Sequence, residues 1–213
     1  MHSTPHKLQN TARSFSFVFL LGLLAGVVTR LSDFFPYEGS LWSFASIATL
    51  FGFWMVTVTL VICFSSSNGN AALNVFLYLF GMTLAFYGLQ YVLGLFLPRF
   101  SQVSFQWSLF ALYTVFSLVC AAIGFVLYFW NRGGFAGSLL YALPVAGLAA
   151  ETLGTGAYLY SHHMLLFQFL FDLAGALAFG VCFYRRAARK GPYLVTVAVV
   201  ALIGYFLFYR PFL

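Results

Sequence analysis

Charge is what this sequence has least of. Only 7% of its 213 residues are charged, and only four are acidic. An ordinary soluble domain carries about 25% charged residues, so a soluble fold of this size could not cover its surface from such a stock. Cysteine is scarce too: Cys63, Cys120 and Cys182 stand alone, without the paired spacing of a disulfide framework or a Cys/His metal site. Their pattern fits small packing residues, and no metal is expected. No GxSxG, HExxH, glycine-rich phosphate loop or glutamate-rich intramembrane protease motif occurs. The chain therefore shows no assembled catalytic constellation and no motif that names a cofactor.

The charge that is present is lopsided, with ten Lys or Arg and a formal net charge of +6. Cytoplasmic loops of membrane proteins carry such an excess. No arginine-rich, aromatic-interleaved stretch argues for nucleic acid as a partner.

What the sequence has in abundance is apolar length: 62% of residues are hydrophobic and 21% aromatic. The apolar runs are continuous and near 20 residues long, as helices crossing a ~30 Å hydrocarbon core require. Strands of a membrane barrel would instead alternate over about ten residues. The fold class is thus all-α: a polytopic, integral membrane helical bundle of about seven transmembrane helices. Spans are expected at about residues 15–29, 41–63, 71–97, 103–130, 138–156, 164–184 and 192–209. They form one transmembrane domain over residues 1–213, with residues 1–14 as a cytoplasmic segment. Pro98 closes the third span and Pro192 opens the seventh. The stretches Ser65-Ser66-Ser67-Asn68-Gly69-Asn70 and Asn131-Arg132-Gly133-Gly134 have turn chemistry. Trp42, Trp107 and Trp130 fall near helix ends, where interfacial anchors sit. Gly22, Ala25 and Gly26 offer a surface for close helix approach.

Orientation follows from the basic residues. Lys7, Arg13, Arg132, Arg185, Arg186, Arg189 and Lys190 share one side, and Arg30, Arg99 and Arg210 the other. The basic side is cytoplasmic, which places the N-terminus inside and the C-terminus outside the cell membrane.

With so few polar side chains, their depth carries the functional argument. Glu151 and Asp172 are the acids within the expected spans, on adjacent helices that form a hairpin with its tip at residues 157–161. An ionisable residue inside a span is costly and faces the protein interior or water. Gln168 lies one turn from Asp172, and Thr155 one turn from Glu151. Gln90, Tyr91, His162 and Arg30 fall in the same outer half under this topology. These residues together form the expected ligand-binding set, lining a polar cavity that opens outward. The fifth span carries Pro144, Gly147, Gly154 and Gly156, the pattern of interrupted transporter helices.

The expected function is a small membrane transporter or a membrane-embedded solute-binding subunit. Its partners would be membrane lipids, a small solute and, because no ATP-binding motif occurs, a partner membrane protein or energising subunit. Two alternatives stay open: a membrane enzyme acting on a lipid or prenyl substrate through the acids or His162, and a non-catalytic accessory or assembly protein.

Overall fold

The structure is a computed structural model that describes residues 7–35, 41–96 and 105–212. Pro98 and Arg99, used above for a helix end and for orientation, lie outside them. Among the described residues eight α-helices follow in chain order: α1 (Ala12–Ser32), α2 (Ser46–Thr49), α3 (Gly52–Phe64), α4 (Asn68–Phe96), α5 (Trp107–Leu127), α6 (Gly134–His162), α7 (Leu166–Arg186) and α8 (Lys190–Gly204). A 3₁₀ turn over Tyr128–Arg132 extends α5, and a π-helical turn over Tyr205–Tyr209 extends α8. Six of these helices, with their extensions, are long and apolar enough to cross a membrane. The chain is a polytopic helical membrane protein.

The expected boundaries shift at several ends. Span five lengthens to Gly134–His162, and Pro144 and the glycines leave it continuous. Its hairpin turn therefore falls at residues 163–165, not 157–161. The larger departure is the second span. Residues 41–63 do not form one helix: α2 stops at Thr49, Leu50 is extended at ψ 158°, and helix resumes at Gly52. The 13 residues of α3 reach only about 20 Å at 1.5 Å each, short of a ~30 Å core.

The described chain divides into two units. One comprises Met1–Leu31 and Leu60–Tyr128, the other Ser32–Thr59 and Phe129–Leu213. In the first unit, α1 and α4 run parallel in close contact. A Cβ at Gly22 would overlap the carbonyl oxygen of Tyr78, and one at Gly26 that of Met82. The small-residue stripe of α1 thus lets two backbones touch. The α3–α4 turn is tied by amides: Asn74 donates to Ser65 Oγ (3.1 Å) and Asn70 Oδ1 (3.0 Å), and Asn70 donates to Asn10 Oδ1 (2.7 Å).

In the second unit α6 pairs with α7 in antiparallel register. Gly156 meets Phe169, Leu148 meets Gly175, and Val145 meets Gly180. At one end Trp130 stacks on Tyr141 at 5.2 Å, and both pack on Phe183. Trp130 is only 2% exposed, so it is a core residue and not the interfacial anchor its sequence position suggests. Trp42 and Trp107 are exposed, as anchors are. The turn into α6 uses Gly133 and Gly134 at φ 73° and 72°, a backbone that residues with a Cβ adopt at a cost. At this end the Lys190 ammonium donates to the carbonyls of Tyr184, Arg185 and Ala187. It thereby caps the C-terminus of α7, where the helix dipole favours a cation.

Candidate functional site

The break between α2 and α3 is the centre of the site. Ser46, Thr49 and Gly52 are poor helix formers in an otherwise apolar run. Where helix stops, the first amides of α3 lose their intrahelical acceptors. Glu151, from the middle of α6, supplies the replacement. Its Oε1 accepts the Phe51 N–H at 2.8 Å, and the Gly52 N–H turns to the same carboxyl group. A carboxylate at a helix N-terminus also meets the positive end of the dipole.

Asp172 reaches the same point from α7. A Cβ at Gly52 would overlap Asp172 Oδ1 and lie 2.5 Å from Gln168 Nε2. Glycine at 52 is therefore what allows the second acid to approach the backbone. Gln168, one turn before Asp172, donates from Nε2 to Asp172 Oδ1 at 2.7 Å. The two acids lie close enough to interact electrostatically. Glu151, Gln168 and Asp172 have no exposed surface. Two acceptor atoms in this group, Asp172 Oδ2 and Gln168 Oε1, have no hydrogen-bond partner among the described residues. Buried acceptors of this kind are rare in proteins because each costs about 1–3 kcal/mol.

A cavity of about 640 Å³ adjoins the break. Leu50, Phe51, Met55, Ala150, Val200 and Phe208 supply most of its apolar wall. Thr155, Tyr158 and Tyr209 are its polar side chains, but the Thr155 hydroxyl already donates to the Glu151 carbonyl at 2.8 Å. The sequence predicts a polar cavity, and this one is apolar. Thr49 and Thr152 do not line it, and they and Thr155 all donate to carbonyls of their own helices, which removes them as free donors. Tyr209 belongs to both features. It lines the cavity, and its hydroxyl stands beside the Glu151 carboxyl group. Gly154 makes room for it, since a Cβ there would lie 2.6 Å from the Tyr209 ring. The π-helical turn that carries Tyr209 is of a kind found often at functional sites.

The expected ligand-binding residues fall in both units. Glu151, Asp172, Gln168 and Thr155 come together in the second unit. His162, also there, is exposed at the end of α6, stacked on Tyr158 at 4.2 Å and 2.7 Å from Ser161 Oγ. Arg30, Gln90 and Tyr91 belong to the first unit, where Arg30 lies over the Phe86 ring and Tyr91 meets Phe105 edge-on. Sequence reasoning missed Gly52 and Tyr209. Gly52 had a signal, a lone glycine after Ser46 and Thr49 inside an apolar run; Tyr209, among many terminal aromatics, had none. Among the described residues no three His, Cys, Asp or Glu side chains gather as metal ligands would.

Comparison of the chain with protein-family models, with curated proteins and with solved structures gives no significant match.

Proposed function

We propose that this protein is a small membrane transporter or membrane-embedded solute-binding subunit, with its solute site in the second unit. One observation carries the reading. An interrupted helix presents its N-terminus to two buried acids beside an apolar cavity of about 640 Å³. Interrupted helices at buried polar groups are how transporters build binding sites within the membrane. The cavity volume falls within the range of small-molecule sites, which combine apolar walls with a few placed polar groups. A purely structural role for the acids accounts for the contacts of Glu151 with Phe51 and Tyr209 but leaves Asp172 Oδ2 unexplained.

The test is native mass spectrometry of the purified chain, looking for a co-purifying small molecule with an apolar body and a hydrogen-bond donor. Val200→Trp fills the cavity from α8 and should abolish the adduct. Asp172→Asn should reduce its occupancy about tenfold, the effect of losing a charged hydrogen bond. An adduct of equal occupancy in both variants would place the solute elsewhere.

The site faces outward if the basic residues between α7 and α8 are cytoplasmic, as the count of Lys and Arg supports. Ala188 is exposed between them. A cysteine at Ala188 should resist a membrane-impermeant thiol reagent in intact cells and react after lysis. Labelling in intact cells would invert the topology.

A further inference from the structure

We infer that the polar end of this site takes a primary ammonium group carried on an apolar body. The inference rests on reading the cavity as a solute site. Asp172 Oδ2 and Gln168 Oε1 have no hydrogen-bond partner among the described residues, and the Glu151 carboxyl group has the Tyr209 hydroxyl beside it. All three side chains lack exposed surface, and with the carboxyl groups ionised these oxygens can only accept. The contacts around them place these groups together. Phe51 and Gly52 turn their N–H groups to Glu151, the Cα of Gly52 abuts Asp172 Oδ1, and Gln168 is bonded to that same oxygen.

A ligand matching this end must bring donors and positive charge. A primary ammonium has three N–H donors and no acceptor. An alcohol brings a single donor together with further acceptor lone pairs. A quaternary ammonium brings charge without any N–H. Among the described residues neither acid forms an ion pair, so no protein cation already occupies this role. The N-terminus of α3 adds partial positive charge to offset the second carboxylate.

The apolar body has its place in the adjoining cavity. Tyr209 stands on the shared wall, with its ring in the cavity lining and its hydroxyl beside Glu151. An ammonium entering from the cavity takes the place of that hydroxyl at the carboxyl group. No bond to the solute is made or broken.

Three matched probes separate the contributions: 2-phenylethylammonium, 2-phenylethanol and trimethyl(2-phenylethyl)ammonium. They share one aromatic body and differ in charge and N–H donors. Titration calorimetry on the purified full chain in lipid nanodiscs should show the primary ammonium binding about tenfold or more tighter than either analogue. Asp172→Asn should erase that preference. If Asp172→Asn does not fold, Glu151→Gln serves for the same comparison, since the amide oxygen still accepts from Phe51. Equal binding of the ammonium and the alcohol overturns the inference and leaves the cavity reading intact. Equal binding of the quaternary probe overturns the role of the N–H donors. If no probe binds and Val200→Trp changes nothing, the cavity reading falls as well.

Discussion

Gly52→Ala is expected to destabilise this protein strongly for a change of one methyl group. The added Cβ would overlap Asp172 Oδ1, and Gln168 Nε2 lies 2.5 Å away. Neither neighbour can yield easily. Gln168 is hydrogen-bonded to Asp172, and Asp172 is wholly buried. Overpacking of a tight interior costs about 1–3 kcal/mol, and displacing a buried carboxyl group from its one donor puts this case at the upper end. A loss of about 3 kcal/mol corresponds to a melting temperature lower by roughly 6–12 °C for a chain of this size. The decisive control is the double variant Gly52→Ala/Asp172→Ala, which restores the space. Contacting residues couple in such cycles by about 0.5–3 kcal/mol, so the double variant should be more stable than the sum of the single changes. Additive losses would show that Asp172 does not sit against the start of α3.

Glu151 is expected to separate shape from charge. Glu151→Ala removes the acceptor of the Phe51 N–H and leaves the first turn of α3 uncapped. Losing a cap costs about 0.5–2 kcal/mol, and the Phe51 N–H left without a partner puts this case at the upper end, about 2 kcal/mol. Glu151→Gln keeps an oxygen for the Phe51 N–H and should cost about 1 kcal/mol or less, within the ordinary range of a hydrogen-bond change. Thermal unfolding of the three proteins gives the ranking, and hydrogen exchange at the Phe51 amide locates it. Faster exchange at Phe51 is expected in the alanine variant alone. Equal losses in the two variants would mean that Glu151 does not cap α3.

The expected spans and the observed helices agree where continuous apolar length decides the structure. The runs from residue 71 and from residue 192 become α4 and α8, and turn chemistry at Gly133-Gly134 becomes a turn. They part where a helix is interrupted from outside. Pro144 and its neighbouring glycines carry the pattern of a broken helix, yet α6 stays continuous. The break falls at Leu50 and Phe51 instead, because Glu151, a hundred residues away in sequence, takes the amide that α2 would otherwise have bonded. A non-local acceptor leaves no trace in local periodicity.

The candidate site divides in the same way. That Glu151, Gln168 and Asp172 belong together was legible, because intramembrane acids are costly and side chains four apart share a helix face. That Gly52 and Tyr209 complete the group was not. Gly52 matters for the Cβ it lacks, and Tyr209 gains its place from a π-helical turn and the gap at Gly154. Trp130 teaches the same point in reverse. A tryptophan at a span end reads as an anchor, but contacts with Tyr141 and Phe183 bury it.

By itself the sequence determined that the chain is helical and membrane-embedded, because 7% charge and apolar runs near 20 residues leave lipid as the workable solvent for most of its surface. It also determined which few side chains are expensive to bury. Only the tertiary structure decided where the second span breaks, that the hydroxyls of Thr49, Thr152 and Thr155 are spent on their own helices, and that the cavity beside the acids is apolar. The physical reason is that hydrophobic burial in lipid is a property of composition and length, whereas a hydrogen-bond partner is a property of position. Which donor meets which acceptor across α3, α6 and α7 is settled only when those helices have packed.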